Sequence, residues 1–229
     1  MNDSPNRLNK YLALELGVSR READLLIEKG DVTVNGTAAT LGARFADGDT
    51  IAIAGKEVTT DTAYEYILFH KPAGYVCSRR AQGDNPTIYA LIPLKYHHLK
   101  PVGRLDRDTS GVLLLTNDGD FAYEMTHPKF KKTKIYQARL DRELEPLHQQ
   151  MISDHGVLLE DGASKLMLER MSDDNRKSWT ITMSEGRNRQ IRRTFGALGY
   201  TVTKLHRTNF GNYSLGDIEP GKIEITSIH

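Results

Sequence analysis

The stretch SRREADLLIEKGDVTVNG, residues 19–36, switches its apolar period from that of a helix to that of a strand, and so admits few folds. Ala23, Leu26 and Ile27 share one helical stripe, whereas Val32 and Val34 alternate along an extended segment that runs into Asn35-Gly36. Ser19 with Glu22 three residues later forms a capping box, Gly30 stops the helix, and Asn-Gly is a favoured centre for a two-residue hairpin. Upstream, Leu8, Leu12 and Leu16 recur every four residues in RLNKYLALELG, which predicts a first helix ending at Gly17. With a further short strand in DGDTIAIAG, residues 7–54 read as helix, turn, helix and a small sheet.

So small a unit leaves most of a 229-residue chain to build a second, larger core. The polar first half of KEVTTDTAYEYILFHKP reads as a linker, which places two domains at 5–60 and 61–229. Beyond it, strand-like runs are frequent, at 64–70, 111–116, 134–140, 164–170, 177–184 and 201–208. The clearest helical pattern spans 187–198, with Ile191, Phe195 and Leu198 on one face. Strands that dominate over irregularly spaced helices predict an α+β class with a large mixed or antiparallel sheet.

Cysteine use and hydropathy exclude several classes. The single cysteine, Cys77, cannot close an internal disulfide and has no zinc-ligand spacing around it, so a small buried side chain in a reducing cytoplasm is expected. No run of eighteen uncharged apolar residues occurs and the first residues lack the apolar core of a secretion signal, which predicts a protein with no membrane partner. The net charge of +1 says nothing about partners, but its distribution does. From Arg176 to Arg207, eight basic residues face Glu185 alone, a local excess of +7 that points to an anionic partner. Arg20 and Arg21 fall in the first turn of the second helix, where the helix dipole disfavours positive charge. They either grip a phosphate together with free backbone N–H groups or form a solvated charged turn.

VGRLDRDTSGVLLLTNDGD, residues 102–120, sets two aspartates, two arginines and a glycine immediately before an apolar strand. A calcium loop beginning at Asp106 would need an acidic residue at its twelfth place, which is Asn117. An aspartyl-phosphatase motif would want threonine where Ser110 stands and an apolar strand where HLKPVGR stands. What remains is either a polar turn leading into a core strand or a catalytic carboxylate at a sheet edge.

Larger blocks of the chain carry a resemblance. RLNKYLALELGVSRREADLLIEKGDVTVNG resembles the S4-type RNA-binding domain, a small module that grips structured RNA through its two helices. GRLDRDTSGVLLLTNDGD, KKTKIYQARL and EGRNRQIRRTFGALGYTVTKLHRTNFGNYSL, in that order, resemble the RsuA/RluB/RluE/RluF family of ribosomal RNA pseudouridine synthases. The resemblance implies an isomerase that converts a uridine of ribosomal RNA to pseudouridine, with Asp106 as the catalytic aspartate, Tyr136 as the tyrosine of the second motif and Arg192 as the arginine after Gln-Ile. QGDNPTIYALIP and EGRNRQIRRTF are closer to the large-subunit enzymes of the family than to the small-subunit one.

The reaction breaks the bond between uracil nitrogen and ribose, turns the base and rejoins it through carbon. It oxidises nothing, so no cofactor and no metal is expected. Asp106 must stay ionised to act on ribose or base, and Arg192 would favour that state; otherwise Arg192 is one more basic residue on an exposed helix. A stacked uridine must be extruded. Tyr136 would then stack on the uracil or, in the plainer reading, fill the core. Arg104, two residues before Asp106, would face the same way and either fill the space the base vacates or form a salt bridge within the domain.

Lys10, Arg20, Arg21, Arg187, Arg189 and Arg193 are expected RNA contacts. Asp108, Asp118 and Asp120 are assigned to turns and caps, and His97, His98, His127 and His206 share no ligand spacing. The expected partner is ribosomal RNA or an assembling ribosomal subunit, bound by a monomer. Two rivals stand: a non-catalytic RNA-binding or ribosome-assembly factor on the same fold, and a magnesium-dependent phosphoryl-transfer enzyme that uses Asp106.

Overall fold

The computed structural model of the chain describes residues 6–59, 63–79 and 82–228. The described residues fall into two units, one of those up to Glu65 with Asn117–Gly119, the other of Tyr66–Thr116 with those from Asp120 onward.

In the first unit, helices α1 (Leu8–Glu15) and α2 (Arg20–Glu28) precede strands β1 (Val32–Val34), β2 (Thr37–Ala38), β3 (Ile51–Ile53) and β4 (Lys56–Glu57). Both halves of the capping box form: Ser19 Oγ accepts from Glu22 N at 3.2 Å, and the Glu22 carboxylate accepts from Ser19 N at 2.7 Å. That cap starts α2 so that Ala23 and Ile27 meet Leu8, Leu12, Val32 and Ile51 in one small core. Leu16 departs from the expected stripe. The helix has closed at Glu15, and Leu16, its C-cap, stands 40% exposed. Asn35 and Gly36 both have positive φ, 50° and 77°, as the tight turn between β1 and β2 requires. The strands run antiparallel in the order β2-β1-β3-β4.

The second unit is built on a mixed sheet. Its path is β10 (Met167–Ser172), β11 (Asn175–Met183), β7 (Lys134–Leu140), β12 (Val202–Phe210), β6 (Ser110–Thr116), β5 (Tyr66–Lys71) and β13 (Ile223–Ile225). Neighbours are antiparallel except β12 and β6, which run parallel. The α+β class, with a small unit of two helices and a sheet ahead of a large mixed sheet, is therefore as the sequence predicts. The unbroken run in β6 is buried on both faces. Val112 and Leu114 pack with Phe121 and Met125 of helix α3 (Gly119–Thr126), whereas Leu113 and Leu115 pack with Ile67, Phe69, Ile88 and Leu99. In β7 the alternation is clean: Tyr136, Ala138 and Leu140 point to a core shared with Trp179, Ile181 and Phe195, and Gln137 and Arg139 point out.

Two predicted elements changed. The single strand expected at 164–170 is two, β9 (Gly162–Ser164), which pairs with β8 (Val157–Leu159), and β10. Between them Leu166 belongs to neither strand; its amide donates to the Ile152 carbonyl and its side chain is buried. The helix expected from Arg187 begins only at Gln190 because Arg189 sits in the left-handed region, φ 45°. The short helices α3 and α4 (Pro146–Gln150) went unread, since α4 has only five residues and α3 buries only Phe121 and Met125; the helix Gln190–Ala197 is therefore α5.

Among the described residues, no helix is long and apolar enough to cross a membrane.

Candidate active site

Asp106 lies on the segment that enters β6, on the wall of a cavity of about 840 Å³ that Arg104, Tyr136, Arg189, Arg192 and Arg207 also line. Its neighbour Leu105 is buried in the core with Tyr136, which anchors one end of the segment. The other end is held by Lys71, the last residue of β5. Fully buried, Lys71 points its Nζ at the carbonyl oxygens of Thr109 (2.7 Å), Pro72 (3.1 Å), Asp106 (3.1 Å) and Arg107 (3.3 Å). Four carbonyls converge on one ammonium, so the backbone that carries Asp106 has little freedom to swing.

Burial pulls the Lys71 ammonium from its ordinary 10.5 down to about 8, while Cys77, Asp106 and Asp108 pull the other way. Its folded value lies below its unfolded one, so between about pH 8 and 10.5 the unfolded chain holds more protons and this group's contribution to stability improves as pH rises. Urea midpoints of wild type and Lys71→Met, measured from pH 7 to 10.5, should therefore diverge in favour of wild type above pH 8. A constant gap would place the ammonium's titration outside that window.

The guanidinium nearest the carboxylate is that of Arg189, with Nη1 3.7 Å from Asp106 Oδ2. The sequence assigned that position to Arg192. Arg192 instead donates to the carbonyl oxygens of Val202 (Nη1, 2.6 Å) and Asp108 (Nη2, 3.0 Å), and its buried Nε has no hydrogen-bond partner. It thus ties α5 to the Asp106 segment, close enough for Asp106 to raise its affinity for a proton while burial and Arg189 lower it. The left-handed turn at Arg189 decides the exchange, because it swings that side chain off the helix and toward Asp106.

Arg187 and Arg193, expected on RNA, are engaged within the protein. Arg187 donates to the carbonyls of Asp161, Gly162 and Ala163, and Arg193 forms a two-bond fork on the Asp161 carboxylate (3.0 and 2.7 Å). Those bonds hold the Asp161 carboxyl below the usual range and pin the β8–β9 hairpin against the turn that precedes α5. Both arginines are hairpin anchors here.

Tyr136 is buried, 9% exposed, in register with Ile181 on one side and Arg207 on the other. Arg104 is exposed on the same cavity as Asp106. Lys71 and Lys134 carry no role in the sequence reading, and Arg207 enters it only as one of the eight basic residues from Arg176 to Arg207. The one local signal for Lys71 is a lysine closing the mostly apolar strand in YILFHKP. Cys77 is half-buried on the same cavity, and burial pushes its thiol up, so it behaves as a small inert side chain. In the first unit, Arg20 and Arg21 are exposed in the first turn of α2, and Lys10 is half-buried on α1.

The Asp106 carboxylate, 30% exposed, thus faces a cavity in which basic side chains outnumber the acidic ones, with a tyrosine in its wall. That arrangement suits a carboxylate acting on a neutral base that an anionic backbone delivers.

Comparison with known proteins agrees. Residues 65–197 match the RNA pseudouridylate synthase family and residues 6–51 the S4 domain. The chain is 38% identical to ribosomal small subunit pseudouridine synthase A of Pasteurella multocida (strain Pm70), over 92% of this chain and 91% of that protein. It is 36% identical to ribosomal large subunit pseudouridine synthase B of Bacillus subtilis (strain 168), over 94% and 89%. A crystal structure of a pseudouridylate synthase superposes with a TM-score of 0.68 at 30% identity, covering 97% of this chain and 96% of that one. With both domains matched in order and the relatives covered nearly end to end, the chain belongs to the RsuA/RluB-type ribosomal RNA pseudouridine synthases that carry an N-terminal S4 domain.

Proposed function

We propose that this chain acts in the cytoplasm to convert a uridine of large-subunit ribosomal RNA to pseudouridine, with Asp106 as the catalytic residue. The observation that carries the reading is the Asp106 carboxylate, fixed beside Arg189 on a cavity that Tyr136 and Arg104 also line. In the reaction the bond from ribose C1′ to uracil N1 breaks, the base turns, C1′ bonds to C5, and a proton leaves C5 as one is gained at N1. Asp106 acts at ribose or base while Arg189 and Arg192 keep negative charge there favourable. Tyr136 stacks on the extruded uracil, a contact of about 1–3 kcal/mol that offsets part of the cost of unstacking, and Arg104 fills the space the base leaves.

Relatives named for the large and for the small subunit match to nearly the same extent, so the choice of subunit rests on QGDNPTIYALIP and EGRNRQIRRTF in the sequence. The purified protein, given unmodified large-subunit and small-subunit transcripts separately, should form pseudouridine in the large-subunit RNA. Product in the small-subunit transcript alone would reverse the subunit, and product in neither, with binding intact, would favour the assembly-factor reading.

Lys10, Arg20 and Arg21 serve RNA binding in this reading by neutralising phosphates, which adds affinity without discriminating between bases. Replacing Arg20 and Arg21 with Gln should weaken binding and flatten the slope of log affinity against log salt by about 0.7–0.9 for each phosphate no longer neutralised. An unaltered slope would make both arginines solvated bystanders.

A further inference from the structure

Arg207 is buried, 2% exposed, yet it forms no ion pair among the described residues. Its Nε and Nη2 both donate to the Val112 carbonyl oxygen, at 2.9 and 2.8 Å, and its guanidinium carbon lies 4.6 Å from the centre of the Phe210 ring. One carbonyl and one ring face thus meet a full charge removed from water, an arrangement costly enough that folded chains seldom keep it without use. Arg207 also borders the cavity, with its Nη1 making no hydrogen bond among the described residues.

Lys134 stands on the same ring. Its Nζ is 5.5 Å from the Phe210 centre and reaches the carbonyls of Lys132, Ser184 and Glu185 only at 3.4 Å each, longer than a well-made bond. Burial and the charge of Arg207 both pull its ammonium down, opposed by Glu185, whose carboxylate is already engaged by Arg187 and Gln190. Two cations share a ring and a cavity, and among the described residues neither forms an ion pair with a carboxylate. A neutral uracil would not relieve that repulsion, whereas an anion would.

We propose that Arg207 and Lys134 form an anion site inside the cavity that takes a phosphodiester of the bound RNA strand, beside the uridine on which Asp106 acts. The inference rests on the RNA-modifying function proposed above. A nucleotide turned out of its stack keeps its phosphates on the strand, so a grip on one of them both positions the base and offsets the cost of extruding it.

The test uses purified wild type, Lys134→Gln and Arg207→Lys with unmodified ribosomal RNA transcripts across a salt series, alongside thermal melting with and without inorganic phosphate. Lys134→Gln should flatten the salt slope by about 0.7 for one phosphate on a single strand, and it should melt no lower than wild type because the repulsion is relieved. Arg207→Lys keeps the charge but loses the fork, so its slope should stay near that of wild type while affinity falls. A Lys134→Gln protein that melts lower with an unchanged slope would overturn the proposal and make Lys134 a structural residue. Stabilisation of wild type by inorganic phosphate that Lys134→Gln lacks, with no change in RNA slope, would assign the site to free phosphate and equally overturn it. Failure of the parent reading looks different: wild type then makes no pseudouridine on either transcript, while the Lys134-dependent slope is still present.

Discussion

Asp106→Asn is expected to yield a folded protein that binds ribosomal RNA as wild type does and makes essentially no pseudouridine. The substitution keeps the shape of the side chain and removes its charge. The side chain is 30% exposed and its one ion pair among the described residues is long, 3.7 Å to Arg189, so stability has little to lose. The position of the segment depends on backbone groups that an amide leaves alone, the Asp106 carbonyl accepting from Lys71 Nζ and from Thr109 N. Turnover should fall at least about a hundredfold, the low end of what a positioned proton-transfer group contributes. Single-turnover rates on a saturating transcript check this, and a variant that kept more than roughly a tenth of wild-type turnover would take Asp106 out of the chemistry.

Gly111→Ala should be the most damaging small substitution in the second unit. Gly111 has φ +117° and faces Arg207 where β6 and β12 run parallel, and a Cβ there would overlap the Arg207 backbone carbonyl and amide. An alanine must both adopt a backbone conformation that L residues avoid and push two buried strands apart. Together these cost roughly 2–6 kcal/mol, from backbone strain of about 1–3 and overpacking of about 1–3. Any relaxation that spares the fold moves Arg207 or the Asp106 segment five residues upstream, so surviving protein should be slow as well as unstable. Urea denaturation measures the first effect. A midpoint equal to that of wild type would mean that the strands have room the geometry denies.

How far each feature was legible follows from the distance along the chain over which it is decided. The Ser19–Glu22 cap and the Asn35-Gly36 turn are settled within three residues, and both form as the sequence predicts. Asp106, Tyr136 and Arg104 were found through motifs, and the fold brings all three to one cavity. The exchange of Arg192 for Arg189 beside Asp106 was hidden, because a helical pattern through 187–198 gives no hint that Arg189 leaves the helix with positive φ. Asp161, to which Arg187 and Arg193 bind, lies 26 and 32 residues earlier on a hairpin that the sequence did not predict, so nothing local marks either arginine as an anchor of it. Lys71 was missed for the same reason. Its acceptors at Asp106 and Thr109 are 35 and 38 residues away, and nothing local marks a lysine that will be buried.

A map of pseudouridines in ribosomal RNA tests the role of this chain most directly, taken from cells that lack the gene and from the same cells complemented with wild type or with Asp106→Asn. The predicted result is a pseudouridine in the large-subunit RNA that is missing without the gene, returns with wild type and stays absent with Asp106→Asn. Identical maps in all three strains would contradict it.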